Sequence, residues 1–294
     1  MKYSVSALAL VVACAVPAGV FAQAKPTNVY VSVVDGKGDP APGLTAADFR
    51  VREDGVAREV LKAGAATEPL TVALLVDDSQ AALPAIQMIR EAIDHFIKAL
   101  DGKAEIALIT FGDRPTILVD YTTDQKTLLA GAKRVFARSD AGGNLLDAIV
   151  ETSKGLQKKK AARPIIAVLM MDDSIEFSNR YHQQVLDELD KGGAVLHVVG
   201  LGTPSVNRSD EVRNRNQVIA TGTERTGGRR QQVLALTGAD SQMKQLAGEL
   251  LNQYVVTYAR ADTLIPPEKI AVTVTRPGLN ARARTRTGLA GAKK

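Results

Sequence analysis

The sequence predicts an α/β fold: a doubly wound, mostly parallel sheet, with a small β domain formed by the N- and C-terminal segments. Two apolar runs, 71–76 and 165–171, each end in Asp-Asp-Ser. Short continuous apolar runs are typical of strands buried on both faces of a parallel sheet. Between residues 68 and 259, strand-like and helix-like segments alternate, which is the order of right-handed β-α-β crossovers.

The composition is that of a globular protein. The chain has 294 residues, of which 45% are hydrophobic and 23% are charged, so extensive disorder is not expected. Tryptophan is absent and aromatic residues make up only 4%, which disfavours recognition of single-stranded nucleic acid by ring stacking. We therefore expect no nucleic-acid partner.

Residues 1–24 have the pattern of a signal peptide. Lys2 precedes an apolar stretch, and Ala22-Gln23-Ala24 fits a small-x-small cleavage site before Lys25. This predicts an exported chain, periplasmic or secreted, whose mature part has no transmembrane segment. A retained membrane anchor and lipidation at Cys14 are the alternatives. Cys14 is the single cysteine, so the mature chain is expected to have no disulfide.

The N-terminal segment, 25–67, is predicted to be a small β unit. Residues 27–34 are strand-like, and 35–40 are rich in turn residues. A second strand, 48–53, runs into Asp54-Gly55 and a returning strand, 57–61. So few residues cannot bury a core of their own, and the unit must therefore pack on another part of the chain.

The C-terminal segment, 260–294, is predicted to form a β-hairpin followed by a basic tail. Apolar residues alternate with polar ones in 270–275 and again in 281–286, and Pro277-Gly278 lies between them. We expect this hairpin to pair with 25–67 in one small sheet domain.

The central segment, 68–259, contains the alternating elements. Strands are predicted at 71–76, 105–111, 116–119, 165–171, 194–201 and 254–258. Helices are predicted at 86–100, 124–135, 145–156, 181–190 and 243–251. The polar, arginine-rich stretch 203–217 is interpreted as a long loop or a frayed helix start.

Acidic residues follow two of the buried strands. Because the carboxyl ends of parallel strands lie along one edge of a sheet, Asp77-Asp78-Ser79 and Asp172-Asp173-Ser174 are expected to meet there. A hard cation would find oxygen ligands at that edge.

These motifs resemble those of a von Willebrand factor A-type domain. The likeness lies in Asp77-Asp78-Ser79-Gln80-Ala81, in 141–149 and in Met171-Asp172-Asp173. Segments 33–38, 43–49, 53–55, 225–229, 253–258 and 276–279 resemble the flanks of exported bacterial proteins of this kind. The resemblance implies a noncatalytic protein-binding module, active in adhesion or assembly, with an unidentified protein partner.

The resemblance also implies a metal site, with Mg²⁺ or Ca²⁺ as cofactor. Matching the family motif residue by residue gives Asp77, Ser79, Asn144 and Asp172 as ligands. The family's threonine position falls on Gly143 or Asn144, and Ala81 replaces a serine ligand, so the adhesion site is expected to be degenerate. The alternative is that these acids only cap helix N-termini.

Charged residues near this edge are candidate partner contacts. Asp78, Asp173, Arg208, Arg213 and Arg215 would form a mixed-charge rim, if the loop after Gly202 emerges there. A solvated loop without a partner is the alternative.

A second basic feature lies near the C-terminus. Arg282, Arg284 and Arg286 would lie on one face of a strand, about 6.6 Å apart, and would contact an anionic surface weakly. Protection of an edge strand by charge is the alternative.

Catalytic patterns are weak in this sequence. His95, His182 and His197 lack metal-ligand spacing, and there is no Gly-x-Ser-x-Gly motif. We expect no enzyme and no catalytic residues. The alternative is a metal-dependent phosphohydrolase, or a receiver-like phosphoacceptor, using the clustered aspartates, although no nucleophile or phosphate clamp is evident.

Overall fold

The computed structural model describes residues 24–204, 206, 209–262 and 265–286. The predicted signal peptide therefore lies almost entirely outside the described residues. The strands are β1 Lys25–Val34, β2 Phe49–Glu53, β3 Val56–Arg58, β4 Val60–Ala65, β5 Leu70–Val76, β6 Ala104–Thr110, β7 Thr116–Thr122, β8 Arg163–Met171, β9 Val195–Leu201, β10 Arg230–Val233, β11 Tyr254–Arg260, β12 Ile270–Val274 and β13 Asn280–Ala283.

The helices follow the predicted alternation with the strands. They are α1 Ile86–Leu100, α2 Gln125–Ala132, α3 Leu145–Lys159, α4 His182–Gly192, α5 Asp210–Thr226 and α6 Ala239–Leu251. Short 3₁₀ helices lie at Ala46–Asp48, Gln80–Ala85 and Leu236–Gly238. Across the described ranges, none of the helices combines the length and apolar character that crossing a bilayer requires.

The central sheet has the strand order β10-β9-β8-β5-β6-β7. All neighbouring strands are parallel except β7, which runs antiparallel to β6. The doubly wound, mostly parallel sheet is thus confirmed. Strand β5 lies between β6 and β8, so the chain order reverses at this point, and the carboxyl ends of β5 and β8 are neighbours.

Two apolar layers cover the central sheet, as the continuous apolar strands require. Val72, Leu74 and Val76 of β5 pack into one layer, whereas Ala73 and Leu75 pack into the other. Helices α1, α2 and α6 contribute to the first layer, and α3, α4 and α5 to the second. A strand buried on both faces needs no polar side, and this explains the uninterrupted runs.

Both ends of the chain form small antiparallel sheets that share one apolar core. One sheet has the order β13-β1-β11-β4 and the other β12-β2-β3. Val31, Phe49, Val256, Tyr258 and Val272 are among the residues buried between them. The ends therefore meet in a small β domain, as the sequence predicts.

Two details of this β domain differ from the prediction. The C-terminal hairpin does not form, because β12 pairs with β2 while β13 pairs with β1. The connection does turn at Pro277-Gly278, where Gly278 has φ 76°, but Thr275 N and Arg276 Nε donate to Asp48 at the start of β2 rather than to β13. Strand β11, assigned above to the central segment, pairs with β1 and β4 instead.

A buried cluster of charges joins β13 to the central layers. The Glu249 carboxylate on α6 lies 2.6 Å from Arg282 Nη2 and 3.7 Å from Arg229 Nη1, and it is 1% exposed. His197 lies in the same buried region of β9, where burial lowers its pKa to about 4, so the ring is neutral. The cluster thus consists of one carboxylate between two guanidinium groups.

The predicted arginine stripe is not formed. Arg282 is engaged with Glu249, and Arg284 donates to the carbonyl of Ala194 at 3.1 Å beyond the end of β13. Of the three, only Arg286 is exposed. The structure therefore contradicts the proposed anionic surface contact, because two of its arginines satisfy internal acceptors.

We expect Glu249→Gln to lower the free energy of unfolding by about 3–5 kcal/mol, because it leaves two buried guanidinium groups without their counterion. Urea unfolding at neutral pH measures this loss. Asp240→Asn, on the same helix but in partly exposed pairs with Lys244 and His95, is the control and should cost about 0–1 kcal/mol. Equal losses in the two variants would contradict a stabilising role for the cluster.

Candidate functional site

Asp77 holds the ends of β5 and β8 together. Its backbone N–H donates to the Leu169 carbonyl at 2.9 Å. Its carboxylate accepts hydrogen bonds from Ser79 N at 2.9 Å and Met171 N at 3.0 Å. The side chain is fully buried, and burial raises its pKa. Both oxygens of the Asp77 carboxylate are therefore used in hydrogen bonds to the backbone at the ends of the two strands.

Asp78 points toward the end of β6. Its carboxylate accepts a hydrogen bond from Gly112 N and pairs with Arg138 Nε at 3.2 Å. A Cβ at Gly112 would lie 2.7 Å from Asp78 Oδ1, so this close approach requires glycine. Only 4% of the Asp78 side chain is exposed, and its carboxylate binds groups within the protein. The expectation that Asp78 contacts a partner is therefore wrong.

Asp172 points toward β9, on the side of β8 opposite to β5. Its carboxylate lies against Gly200, where any Cβ would overlap it. The Oδ2 atom is buried and has no hydrogen-bond partner among the described residues. Burial raises the pKa of this carboxyl, while Arg230 and Arg215 act in the opposite direction. Asp77 and Asp172 thus follow adjacent strands, but their carboxylates diverge.

Two of the predicted metal ligands, Ser79 and Asn144, are engaged with other polar groups. Mg²⁺ requires several oxygen atoms directed at one point. Asn144 instead donates its amide Nδ2 to the Asp113 carbonyl at 2.8 Å, and the Ser79 hydroxyl lies 3.1 Å from that of Ser174. Within the described part of the chain, no three Asp, Glu, His or Cys side chains lie close enough together to hold a metal ion. The predicted site contains only two carboxylates, Asp77 and Asp172, beside the Ser79 hydroxyl and the Asn144 amide, and it stays a prediction.

The segment after β8 crosses this edge of the sheet in an extended conformation. We call residues 173–179 the strap. Its residues alternate in exposure, with 174, 176 and 178 buried and 173, 175, 177 and 179 exposed. The strap is bound to the loop before α3, because Gly143 N donates to the Ile175 carbonyl and Phe177 N donates to the Gly143 carbonyl, both at 2.7 Å.

The strap covers Gly143, one of the two positions onto which the family's threonine falls. A Cβ at Gly143 would lie 3.2 Å from Ser174 Oγ and 3.4 Å from the Ile175 carbonyl. Any side chain at residue 143 would therefore point into the strap. Glycine at this position leaves the strap in its place, whereas a Cβ would require Ser174 Oγ to shift by a few tenths of an ångström.

Glu176 caps the N-terminus of α3. Its carboxylate accepts long hydrogen bonds from Leu145 N and Leu146 N, both at 3.4 Å, while Ser178 Oγ accepts one from Asp147 N at 3.0 Å. Asn144, the residue before the helix, makes no side-chain cap. The strap thus supplies the acceptors that the first turn of α3 lacks.

Arg215 binds the backbone at the start of the strap. It lies on α5, is 2% exposed, and donates to the carbonyls of Asp172, at 3.2 Å, and Ser174. This corrects the expectation that Arg215 is a surface contact, while the helix at residues 210–217 agrees with the helix-start alternative for 203–217. Ser209, which caps Val212 N at 3.3 Å, is a helix-start signal that sequence reasoning missed.

The other predicted rim residues differ in their environments. Arg213 is exposed and pairs with Asp210 on the same helix, and Arg208 lies outside the described residues. Asp173 is exposed at the start of the strap. Asp173 is therefore the one described candidate that lies in the strap and is open to solvent.

The exposed face of the strap is apolar at its centre. Ile175 is 47% exposed and Phe177 is 57% exposed, and the Phe177 ring lies directly on Gly142. Together they form one wall of an open pocket of 240 Å³. The remaining lining residues are Ser79, Gln80, Ala81, Asp140, Ala141, Gly142 and Asp173. Sequence reasoning missed this pair, although the period-two pattern of residues 174–178 indicates it.

Comparison with known proteins supports the fold. Residues 72–174 match the model of the von Willebrand factor type A domain family. A von Willebrand factor type A structure from Catenulispora acidiphila is 11% identical, with a TM-score of 0.51, and the match covers 90% of this chain and 72% of that one. No curated protein sequence matches the chain.

Two further structures are similar over a smaller share of this chain. BatB from Bacteroides thetaiotaomicron is 14% identical with a TM-score of 0.47, covering 61% of this chain and 98% of that one. Proximal thread matrix protein 1 from the mussel byssus, described with a zinc-occupied MIDAS motif, is 14% identical with a TM-score of 0.48. That match covers 68% of this chain and 50% of the mussel protein.

We expect the stability contribution of Glu176 to be lost as pH rises. Burial raises the pKa of Glu176 from 4.5 to about 7, although Ser178 and Arg215 act against it. The native state therefore binds this proton more tightly than the unfolded state does. Its contribution is fully present below pH 4.5 and declines as pH rises through about 7.

Glu176→Gln removes this dependence. The free energy of unfolding of the unmodified chain relative to this variant should fall by roughly 3 kcal/mol between about pH 4 and pH 8. Urea unfolding across that range measures the difference. Glu151→Gln, on the exposed face of α3, is the control and should leave the profile unchanged. Parallel profiles for Glu176→Gln and the unmodified chain would contradict the buried-carboxyl account.

Proposed function

We propose that this chain, whose central region is a von Willebrand factor type A domain, is an exported, noncatalytic module that binds a protein partner. Its work would be adhesion or assembly outside the cytoplasm. The observation that carries the proposal is the edge at the carboxyl ends of β5 and β8. Here Asp77, Asp78 and Asp172 are buried, while the strap displays an apolar surface around an open pocket.

A binding role fits the state of the aspartates better than catalysis does. A phosphoacceptor carboxylate must be reached by its substrate, but Asp77 is fully buried and both of its oxygens accept backbone N–H groups. Asp78 is likewise enclosed, between Gly112 and Arg138. Neither carboxylate is available as a nucleophile or general base in this arrangement.

We also propose that partner binding does not depend on a divalent cation. The support is the divergence of Asp77 and Asp172, together with the strap lying over Gly143. The proposed export rests on the signal pattern of residues 1–24.

Affinity capture of envelope proteins on the full mature chain tests the binding role. We expect at least one protein to be retained equally with Mg²⁺ and with a chelator. Gln80→Arg, at the pocket, should reduce its retention about 10-fold by inserting a long cation, whereas Lys103→Glu, at the opposite end of the sheet, should not. Retention that both variants leave unchanged, or that the chelator abolishes, would contradict the proposal.

A phosphoester assay tests the proposal that the chain is not an enzyme. We expect the mature chain to show no turnover of p-nitrophenyl phosphate with Mg²⁺ or Mn²⁺ above that of the Asp77→Ala variant, because Asp77 is enclosed. Turnover that disappears in Asp77→Ala would show that the chain is an enzyme instead.

A further inference from the structure

The outer face of the strap has the features of a peptide-binding surface. Resting on the function proposed above, we propose that it binds an extended protein segment in which a lysine or arginine alternates with apolar side chains. Ile175 and Phe177 provide the apolar contacts, and Asp140 and Asp173 provide the contacts to the cation. The partner's chemistry follows from three features of this surface.

The first feature is that the apolar pair is fixed in place. Glu176 is held inward by α3, and Ser174 is held inward next to Ser79. In an extended segment the residues on either side must then face outward, so Ile175 and Phe177 remain exposed. They lie about 6.6 Å apart by strand rise, which is the spacing of alternate side chains in an extended partner.

The second feature is an unneutralised negative charge beside the apolar pair. Asp140 and Asp173 both line the pocket and are exposed. Neither carboxylate takes part in an ion pair within the described part of the chain, and the nearby Arg138 is committed to Asp78. The chain as a whole has a net charge of +5, so this acidic pair is a local exception that a cationic partner would complement.

The third feature is the size of the pocket. Its 240 Å³ is smaller than the roughly 300–1,000 Å³ typical of sites for cofactors and drug-sized ligands. The pocket is also open, and its lining includes the small residues Ala81, Ala141 and Gly142. Such a pocket suits one or two side chains of a polypeptide rather than a whole small molecule.

Selection of random dodecapeptides displayed on phage, with the full mature chain as bait, tests the inference. We expect the enriched peptides to combine Lys or Arg with alternating Leu, Ile or Phe. Synthetic copies should bind Phe177→Ser about 10-fold more weakly and should lose part of their salt dependence with Asp173→Asn. An acidic consensus, or equal binding by Phe177→Ser, would overturn the inference.

Two further variants separate surface effects from folding effects. Ile117→Ser removes an apolar side chain that is 62% exposed on the edge strand β7, and it should leave peptide binding unchanged. Gly142→Ala retains Phe177 but displaces its ring, because the new Cβ would overlap it, and this variant should weaken binding as Phe177→Ser does. Unaltered urea midpoints would confirm that the variants are folded.

Two results distinguish a failure of this inference from a failure of the proposed function. If captured envelope proteins respond to Gln80→Arg but not to Phe177→Ser or Asp173→Asn, the edge binds proteins and the inference about the strap is wrong. If the selected peptides depend on Phe177 but no envelope protein is captured, the strap is a peptide site and the proposed envelope role is wrong.

Discussion

The arrangement at the carboxyl edge depends on one buried carboxylate. Glu176 lies at the N-terminus of α3, where unpaired N–H groups and the positive end of the helix favour an acceptor. Burying this group is costly, which is why its pKa is raised, and Arg215 lies beneath it as the nearest cation. Because Glu176 must face inward, the neighbouring residues of the strap must face outward. The need of α3 for an acceptor at its N-terminus therefore determines that Ile175 and Phe177 are exposed to solvent.

The fold was predictable because its signals are periodic and local. Continuous apolar runs identify β5 and β8, and their adjacency follows from the alternation of strands and helices. The directions of the side chains at their ends were not predictable. Whether Asp172 faces β5 or β9 depends on the space left by Gly200, 28 residues away in the sequence. The strap was missed for a related reason: its period-two pattern is short, and its partner is one residue of a distant loop, Gly143.

The chain ends show where sequence periodicity is insufficient. The segments around Val272 and Ala281 alternate as a hairpin would, yet each finds a partner in a different sheet of the same small domain. Arginine is usually exposed, so a row of arginines predicts a surface. Here Arg282 reaches Glu249 and Arg284 reaches backbone carbonyls, so these side chains join the β domain to the helices. Long-range pairing of this kind has no local signature.

The alternating exposure of the strap also limits how its length can vary. Within residues 174–178 the polar side chains of Ser174, Glu176 and Ser178 face inward, and the apolar side chains of Ile175 and Phe177 face solvent. Deleting or inserting a single residue between Asp173 and Ser178 would exchange the two sides, turning Phe177 inward and Glu176 into solvent. Related chains that keep this arrangement should therefore gain or lose residues here in pairs, whereas their exposed side chains remain free to diverge as their partners do.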